Sequence, residues 1–339
     1  MLPPEDQALL DKVLAAPGEA QRRAVAKAIT LLESSRADHR ERADAFLTAL
    51  PAPARDAFRI GVSGVPGVGK STFIETLGLQ LIGAGQRVAV LAVDPSSSVS
   101  GGSILGDKTR MEHLSVNPRA FVRPSPSGGT LGGVATATRE AIRVVEAAGY
   151  DVVIVETVGV GQSEAAVAGM TDMFLLLQLP NAGDELQAIK KGVIELADLV
   201  VVNKSDLDPG AATRAVAQIA AALRLVAHRD SGAWTPRASM TSALDPAQVA
   251  AVWNVAAEFR VAQQTSGALH ARRSGQARAW LWERVDAGLR EAFRIHPDVR
   301  AQLDDTLAAV DAGQLPVSVA ARRLLRAFGR NGVRTGGGS

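Results

Sequence analysis

The chain has no cysteine, few aromatic residues and no long apolar run. Without cysteine it cannot form disulfides, use a thiolate as a nucleophile or hold a metal through sulfur. Eight Phe, four Trp and one Tyr among 339 residues provide no stacking platform for single-stranded nucleic acid. No apolar segment approaches the roughly 20 residues that a membrane-spanning helix needs. We therefore expect neither nucleic acid nor a membrane as a partner.

The charge of the chain is nearly balanced. Lys and Arg total 37 against 35 Asp and Glu, so a cationic surface is not expected. The N-terminal sequence MLPPEDQALLDKV carries acidic residues where a secretory signal would be basic and then apolar. We expect a cytoplasmic protein. The five histidines, at positions 39, 113, 228, 270 and 296, have no metal-binding spacing.

Both ends of the chain show apolar residues at three- and four-residue steps, which is typical of amphipathic helices. The N-terminal pattern stops at Pro51 and Pro53, because proline cannot continue a helix. The C-terminal pattern begins after His270, and its apolar stripe must be buried against the central domain or another subunit. The predicted regions are an N-terminal helical extension (1–56), a central domain (57–265), a C-terminal helical arm (266–330) and a flexible tail (331–339).

The central domain alternates short β-branched runs with helical patterns. Runs of consecutive apolar residues suit strands that are buried on both faces of a parallel sheet. The predicted strands cover 59–65, 87–93, 151–158, 173–179 and 199–202. The predicted helices cover 71–82, 132–148, 163–170, 184–196 and 211–227. This is an α/β fold with a mainly parallel sheet, whose ligands bind beyond the carboxyl ends of the strands.

The segment after the first predicted strand matches G-x-x-x-x-G-K-[ST], the phosphate-binding loop or P-loop, here residues 64–71. Because a strand leads in and a helix follows, backbone N–H groups can converge on the phosphates. Lys70 adds a point charge, and the Ser71 hydroxyl can reach Mg²⁺. The motif predicts a P-loop NTPase fold. Nucleotide binding is assigned to Gly64, Val65, Pro66, Gly67, Val68, Gly69, Lys70, Ser71 and Thr72.

A second motif separates GTP from ATP. The predicted strand 199–202 ends in N-K-x-D, the arrangement of a G domain. Asp206 can accept hydrogen bonds from the N1–H and 2-amino groups of guanine, whereas adenine would leave this carboxylate unpaired at a cost. The stem of Lys204 can lie along the base. The sequence thus predicts GTP and GDP as ligands and assigns base contacts to Asn203, Lys204, Asp206, Ser242, Ala243 and Leu244.

Three carboxylates are candidates for a magnesium site together with Ser71. Asp94 and Glu156 close the apolar runs of two predicted strands, and Asp107 lies in a Gly/Ser-rich segment. Mg²⁺ takes few protein ligands and keeps several waters, so a small set of oxygen ligands suffices. The alternatives are helix capping or a solvated strand end for Asp94 and Glu156, and a surface loop for Asp107.

Glu156 also begins the sequence E-T-V-G, which resembles the D-x-x-G switch of GTPases, whose glycine N–H can sense the γ-phosphate. Gln162 stands three residues after Gly159, not directly after it, so the usual water-positioning glutamine is not evident. We expect slow intrinsic hydrolysis. Lys70, Gln178 and Lys190 are the candidate catalytic residues. Arg110, Gln178 and Lys190 suit a solvated structural role equally well.

Three further blocks resemble the MeaB/ArgK-type GTPases, which are metallochaperones associated with adenosylcobalamin-dependent acyl-CoA mutases such as methylmalonyl-CoA mutase. The blocks are VDPSSS through GDKTRM, then ETVGVGQSE, and then DELQAIKKG running into NKSD. With the P-loop they cover most of residues 58–245, and the helical ends also agree with this family.

The resemblance implies that the C-terminal arm is a dimerisation arm of a homodimer. It also implies that Ser71, Asp94, Asp107 and Glu156 surround Mg²⁺, and that residues 179–190 act as a mobile switch facing the mutase. The implied function is GTP hydrolysis that gates adenosylcobalamin loading into an acyl-CoA mutase and protects or restores that enzyme after cofactor damage.

Three other functions stay open. A metal-insertion GTPase for a nickel enzyme is one, although the chain has no cysteine or histidine cluster to hold the metal. A transport-associated kinase that phosphorylates binding proteins is another, and the absence of a signal and the motif for GTP argue against it. A purely structural nucleotide-binding module is the third, should turnover prove absent.

Overall fold

The computed structural model of the protein describes residues 2–34, 36–93, 111–124, 131–157, 163–180, 191–227 and 233–329. The chain divides into two compact units, Met1–Arg273 and Ser274–Ser339. The strands are β1 (Phe58–Gly64), β2 (Val88–Val93), β3 (Ala120–Arg123), β4 (Val152–Thr157), β5 (Met173–Gln178), β6 (Leu199–Val202) and β7 (Arg237–Met240).

The first unit also contains most of the helices. They are α1 (Pro4–Val13), α2 (Glu19–Leu32), α3 (Ala37–Ala49), α4 (Lys70–Gly83), α5 (Glu112–Val116), α6 (Leu131–Ala147), α7 (Ser163–Ala168), α8 (Lys191–Ile194), α9 (Pro209–Ala227) and α10 (Pro246–Thr265). Three more follow: α11 (Ala268–Ile295), α12 (Pro297–Asp311) and α13 (Val317–Gly329). Among the described residues no helix has the length and apolar character needed to cross a bilayer.

Seven parallel strands form one sheet in the described ranges, in the order β3-β2-β4-β1-β5-β6-β7. The predicted α/β fold is thereby confirmed. Strand β1 lies at the centre, between β4 and β5, and the P-loop follows it directly. The P-loop therefore leaves the sheet beside Glu156 of β4 and Gln178 of β5, because parallel strands end at the same edge.

Helices cover both faces of the sheet, so strand residues alternate between two apolar cores. In β4, Val153 and Val155 belong to one core, and Val152 and Ile154 to the other. All six residues of β4 are buried. This burial on both faces explains why the strands are continuous apolar runs in the sequence, and each buried Val or Ile contributes about 1.5–3 kcal/mol.

Three aspartates stand directly before strands β4, β5 and β6 and make the same contact. Each carboxylate accepts a hydrogen bond from a backbone N–H. Asp151 accepts from Arg87 N (2.8 Å), Asp172 from Arg59 N (2.9 Å) and Asp198 from Phe174 N (2.8 Å). In each case the acceptor satisfies a backbone donor near the start of the neighbouring strand, which would otherwise be costly to bury. These contacts stabilise the edge of the sheet opposite the P-loop.

A buried polar contact joins the N-terminal helices to the sheet. Gln21 of α2 is 2% exposed, and its Nε2 donates to the carbonyl oxygens of Val13 (2.9 Å) and Ala148 (3.0 Å). Its Oε1 accepts from Nη2 of Arg87 at 2.7 Å. Arg87 also lies over the ring of Tyr150 at 4.2 Å, and burial raises the pKa of the Tyr150 hydroxyl. The N-terminal helices thus belong to the same compact unit as the sheet.

The second unit contains the later part of α11 with α12 and α13. Its small core consists of Val299, Leu324 and Ala327, with Phe293, Leu303 and Phe328 packed against it. The long helix α11 leaves Leu281 60%, Trp282 66% and Leu289 56% exposed. The amphipathic pattern of the sequence is therefore present here as an exposed apolar stripe on α11.

Element positions agree closely with the sequence patterns where those patterns are long. Predicted strand 199–202 matches β6, and the helix predicted at 71–82 is α4 with one more residue at each end. The prediction omits β3, α5 and α10. The helix predicted over 184–196 is described only as α8, and its earlier part lies outside the described residues. The region boundaries at 56, 265 and 330 stay predictions.

Candidate functional site

Glycine is required at three positions of the P-loop. Gly64, Gly67 and Gly69 have φ angles of +153°, +78° and +95°, which L-residues with a side chain rarely adopt. A Cβ atom on Gly64 would lie 2.5 Å from the carbonyl oxygen of Leu177, and one on Gly69 would lie 2.6 Å from Nδ2 of Asn203. The loop is thus packed between the neighbouring strand and the N-K-x-D segment, with Pro66 and Gly67 at its exposed tip.

Lys70 begins helix α4 and lies across the P-loop. Its side chain is buried, and Nζ donates to the carbonyl oxygens of Gly64 (2.8 Å) and Val65 (3.3 Å). Gly69 is the N-cap residue of α4. Since the N-terminus of a helix favours negative charge, the ammonium group and the helix end together suit phosphate groups. Thr72 follows in the first turn of α4 and is exposed.

Two of the four predicted magnesium ligands lie next to each other. The Ser71 hydroxyl lies 3.4 Å from Oε1 of Glu156, and Glu156 is buried at the end of β4. A hydroxyl and a carboxylate are hard oxygen ligands that suit Mg²⁺. Asp94 and Asp107 lie outside the described residues. Within those residues no group of three or more possible metal ligands occurs, so Ser71 and Glu156 represent part of the predicted set.

A buried hydroxyl pair lies beneath this part of the site. Thr157 Oγ1 donates to Ser63 Oγ at 2.9 Å, and both residues are fully buried. The bond joins the ends of β4 and β1, one residue beyond Glu156 and one before Gly64. It therefore fixes the strand ends that carry the predicted magnesium ligand and the P-loop. The sequence analysis did not find this pair, because two strand-end hydroxyls carry no recognisable motif.

The two segments predicted to contact the base meet at the ends of β6 and β7. We name residues 203–207 the base loop and residues 241–245 the cover loop. Ser205 N donates to the carbonyl of Thr241 at 3.1 Å. Helix α4 also holds the cover loop, because Thr76 Oγ1 donates to the carbonyl of Ala243 at 2.7 Å.

Asn203 joins the phosphate and base regions of the site. Its Nδ2 donates to the P-loop carbonyl of Val68 at 2.7 Å, and its Oδ1 accepts from Ala243 N at 2.9 Å. The side chain is fully buried. An amide nitrogen carries two hydrogens, and the bond to Val68 uses one of them. The structural role of Asn203 in linking three segments is additional to the predicted base contact.

The features of Lys204 and Asp206 that bear on the predicted base contact are backbone conformation and exposure, respectively. Lys204 has a φ angle of +59°, the one positive value among the described residues other than glycine. Such backbone conformations cost about 1–3 kcal/mol and occur mainly where surrounding structure enforces them. Asp206 is exposed, and no described residue donates a hydrogen bond to its carboxylate. In the cover loop, Ser242 and Ala243 are buried and Leu244 is 77% exposed.

Gln178 lies at the end of β5, beside the P-loop strand. Its carbonyl oxygen accepts from Asn203 N at 2.8 Å. The side chain is 2% exposed, and Oε1 has no hydrogen-bond partner within the described part of the chain. The structure thus places Gln178 in the framework of the base loop, and its predicted catalytic role stays a prediction. Lys190 lies outside the described residues.

The arrangement has the parts that a guanine nucleotide requires. The P-loop and Lys70 suit the phosphates, Ser71 with Glu156 suits a hard cation, and the base loop presents an exposed carboxylate. Asn203, in the base loop, connects that loop to the P-loop through its bond to Val68. The residues that the sequence analysis missed are Thr76, Ser63, Thr157 and Gln248, which hold the loops through hydrogen bonds.

Comparisons with known proteins agree with this chemistry. The family described as "Methylmalonyl Co-A mutase-associated GTPase MeaB" matches residues 25–298. A putative GTPase of Caulobacter vibrioides is 54% identical over 310 residues, 91% of this chain and 94% of that protein. The GTPase ArgK of Escherichia coli (strain K12) is 42% identical over 306 residues, 90% and 92% of the two chains. The crystal structure of a LAO/AO transport system kinase has a TM-score of 0.75 and 34% identity, covering 96% of this chain and 98% of that one.

Proposed function

The chain belongs to the family of methylmalonyl-CoA mutase-associated GTPases, and on that premise we propose that its GTPase activity serves an adenosylcobalamin-dependent acyl-CoA mutase such as methylmalonyl-CoA mutase. The proposed role is to gate adenosylcobalamin loading and to protect or reactivate the mutase. We further propose that Mg²⁺ is required and that the chain acts as a homodimer in the cytoplasm.

One observation carries the nucleotide chemistry of this proposal. Asn203 bonds to both Val68 and Ala243, and this link between the P-loop and the cover loop supports the proposal that they bind one nucleotide together. A site that combines a P-loop with an N-K-x-D loop suits a guanine nucleotide. An ordinary Gly-rich turn is not expected to form a hydrogen bond with an N-K-x-D segment.

Each residue has a distinct task in the proposed mechanism. The backbone of the P-loop and Lys70 bind the phosphates and stabilise the charge that develops on them. Ser71 and Glu156, with Asp94 and Asp107 outside the described residues, would hold Mg²⁺, which neutralises phosphate charge when bound. Asp206 accepts hydrogen bonds from guanine, and the Lys204 stem covers the base. Gln178 and Lys190 are proposed to act in the switch between nucleotide states.

The partner is proposed to control the rate of hydrolysis. No glutamine directly follows Gly159, so the usual residue that orients water is not evident. A transition-state contact that a partner supplies or orders can be worth a factor of ~10³–10⁵ in rate. We therefore expect slow intrinsic turnover that accelerates when the mutase binds. GTP-bound and GDP-bound forms should then differ in mutase affinity, because the two binding events are thermodynamically linked.

Single-turnover GTP hydrolysis, measured with and without the mutase, tests this proposal. Wild-type turnover should rise with the mutase, and Gln178→Ala and Lys190→Ala should reduce that rise. Lys12→Ala, which changes an exposed lysine at the end of α1, is the control and should keep the full rise. A wild-type rate that does not respond to the mutase would exclude partner-activated hydrolysis, although GTP binding would stand.

A second function is favoured by one comparison, because the similar solved structure is described as a LAO/AO transport system kinase. A kinase transfers the γ-phosphate to a protein, whereas a GTPase transfers it to water. Incubation of the chain with GTP labelled on the γ-phosphate and a transport binding protein, followed by detection of label on protein, separates the two. We expect free phosphate and no labelled protein.

A further inference from the structure

One side chain outside the base loop and the cover loop contacts both of them. Gln248 lies in the first turn of α10. Its Oε1 accepts from Ser242 N at 2.8 Å and from Ser205 Oγ at 3.2 Å. Its Nε2 donates to Oδ2 of Asp245 at 2.9 Å. A single amide group therefore connects the base loop, the cover loop and the start of α10.

The contacts of Gln248 require a carboxamide. The oxygen receives two donors, and the nitrogen must donate because it faces a carboxylate. A glutamate would retain both acceptor contacts but place a second carboxylate against Asp245. An alanine would leave Ser242 N without this acceptor, and Ser242 is buried, so the loss is costly.

Helix capping accounts for the contact of Nε2 with the N-cap residue Asp245, but not for the contacts of Oε1 with Ser242 and Ser205. Asp245 is the N-cap residue of α10, and its Oδ1 accepts from Ala247 N at 2.9 Å. This bond satisfies the start of the helix without the Gln248 side chain. Oε1 of Gln248 instead accepts hydrogen bonds from the two loops that surround the proposed base site.

We propose that Gln248 is a positioning residue for guanine specificity, which holds the base loop and the cover loop at a fixed separation. The inference rests on the proposed assignment of Asp206 as the residue that reads the base. Ser205 is the residue directly before Asp206, so a shift of Ser205 moves the reading carboxylate. Hydrogen bonds weaken steeply with poor distance and angle, and the contact between Asp206 and the 2-amino group should therefore be lost first.

The ratio of GDP to IDP affinity reports this contact. Inosine lacks the 2-amino group of guanine, so the ratio measures how well the carboxylate is placed for that group. A general loss of structure lowers both affinities together and leaves the ratio unchanged. Loss of positioning lowers the GDP affinity more than the IDP affinity.

Titration calorimetry of the full chain with GDP and with IDP is the test. Gln248→Ala should lower the ratio by about tenfold, the scale of one hydrogen bond to a charged group. Gln248→Met, which keeps the volume and lacks the amide, should do the same and serves if the alanine variant does not fold. Gln248→Glu keeps both acceptor contacts and should lower the ratio of GDP to IDP affinity less than Gln248→Ala or Gln248→Met does.

A matched control is Gln80→Ala. Gln80 of α4 donates to the carbonyl of Pro246 in the same turn of α10, and among the described residues no hydrogen bond joins its side chain to either loop. Its removal should leave the GDP to IDP ratio at the wild-type value. A fall of the ratio in this variant equal to that in Gln248→Ala would show that any disturbance of α10 suffices, and would overturn the specific role of Gln248.

Asp206→Asn separates the inference from the assignment on which it rests. This change should transfer preference from GDP to XDP, because the 2-oxo group of xanthine needs a donor. If that transfer occurs while Gln248→Ala and Gln248→Met keep the wild-type ratio, the inference is overturned and the assignment stands. If Asp206→Asn leaves the preference for GDP unchanged, the assignment fails and the inference fails with it.

Discussion

Single residues in this site often perform two tasks. Lys70 has the charge to bind phosphates, and its ammonium group also bonds to carbonyls of the loop that would surround them. Glu156 is a candidate magnesium ligand and lies beside the Ser71 hydroxyl. Because these groups are buried or half-buried, water screens their charges less than at an exposed surface.

We expect Lys70→Ala to lower GTP turnover by roughly 10²–10³-fold, the effect of losing one preorganised charge-stabilising group. Glu156→Ala should instead raise the Mg²⁺ concentration for half-maximal turnover by about 10- to 100-fold, as for residues that support a metal ligand. Asp94→Ala is expected to behave in the same way. Steady-state hydrolysis at varied Mg²⁺ concentration measures both effects.

The control for this experiment is Glu75→Ala. Glu75 lies on α4 like Ser71, but its carboxylate accepts from His113 N at 2.8 Å. Its loss should leave the Mg²⁺ dependence unchanged. An unaltered Mg²⁺ requirement in both Glu156→Ala and Asp94→Ala would reject their roles at the metal.

At the scale of elements, the N-terminal helices share an apolar core with the sheet, and buried polar contacts of Gln21 add to this packing. Gln21 bonds to the end of α1, to the segment between α6 and β4, and to Arg87 before β2. These partners are distant in sequence and close in space. Buried networks of this kind are costly when partly broken, because the remaining groups stay desolvated.

Gln21→Leu should therefore lower the free energy of unfolding by about 2–3 kcal/mol, since the change leaves Arg87 and three backbone carbonyls with fewer partners. Urea unfolding measures this difference. Gln7→Leu is the control, because Gln7 is an exposed residue of α1 whose side chain bonds to the exposed Asp11, and we expect a change within about 0.5 kcal/mol. Equal stability of the two variants would contradict the role of Gln21.

At the scale of the whole molecule, the second unit has little core of its own. Its apolar cluster contains three buried residues with three more packed against them, whereas Trp282 and Leu289 of α11 are largely exposed. Large exposed apolar surfaces on soluble chains mark interaction sites. Trp282, Val285 and Leu289 lie at helical spacing, and a second copy of the chain is the proposed partner for this stripe.

We expect the full chain to be a dimer at micromolar concentration and Trp282→Glu to be a monomer, because a charge in an apolar interface cannot be paired. Light scattering coupled to gel filtration measures the mass. Ala287→Glu changes an exposed residue on the opposite side of α11 and should stay dimeric. A wild-type chain that is monomeric under these conditions would refute the proposed dimerisation arm.

Much of the fold could be predicted because its strands are buried on both faces. The runs that became β4, β5 and β6 are apolar at nearly every position, and each lies within two residues of the predicted span. The edge strand β3, AFVR, is only half-buried at its last two residues and ends in an arginine, so it lacks the continuous apolar run by which β6, of the same length, could be predicted. Helix α10 was missed because no change in the spacing of apolar residues separates it from the cover loop that it directly follows. Its residues are PAQVAAVWNVAAEFRVAQQT.

The local sequence by itself determined the α/β fold and the two nucleotide motifs, because strand burial and close phosphate approach require particular residues at fixed short spacing. Only the tertiary structure decided which distant residues meet. Asn203 bonds to Val68 across 135 positions, and Gln248 reaches Ser205 across 43. Neither contact has a sequence signature, because an amide can bond to any backbone or hydroxyl group that the fold brings near it.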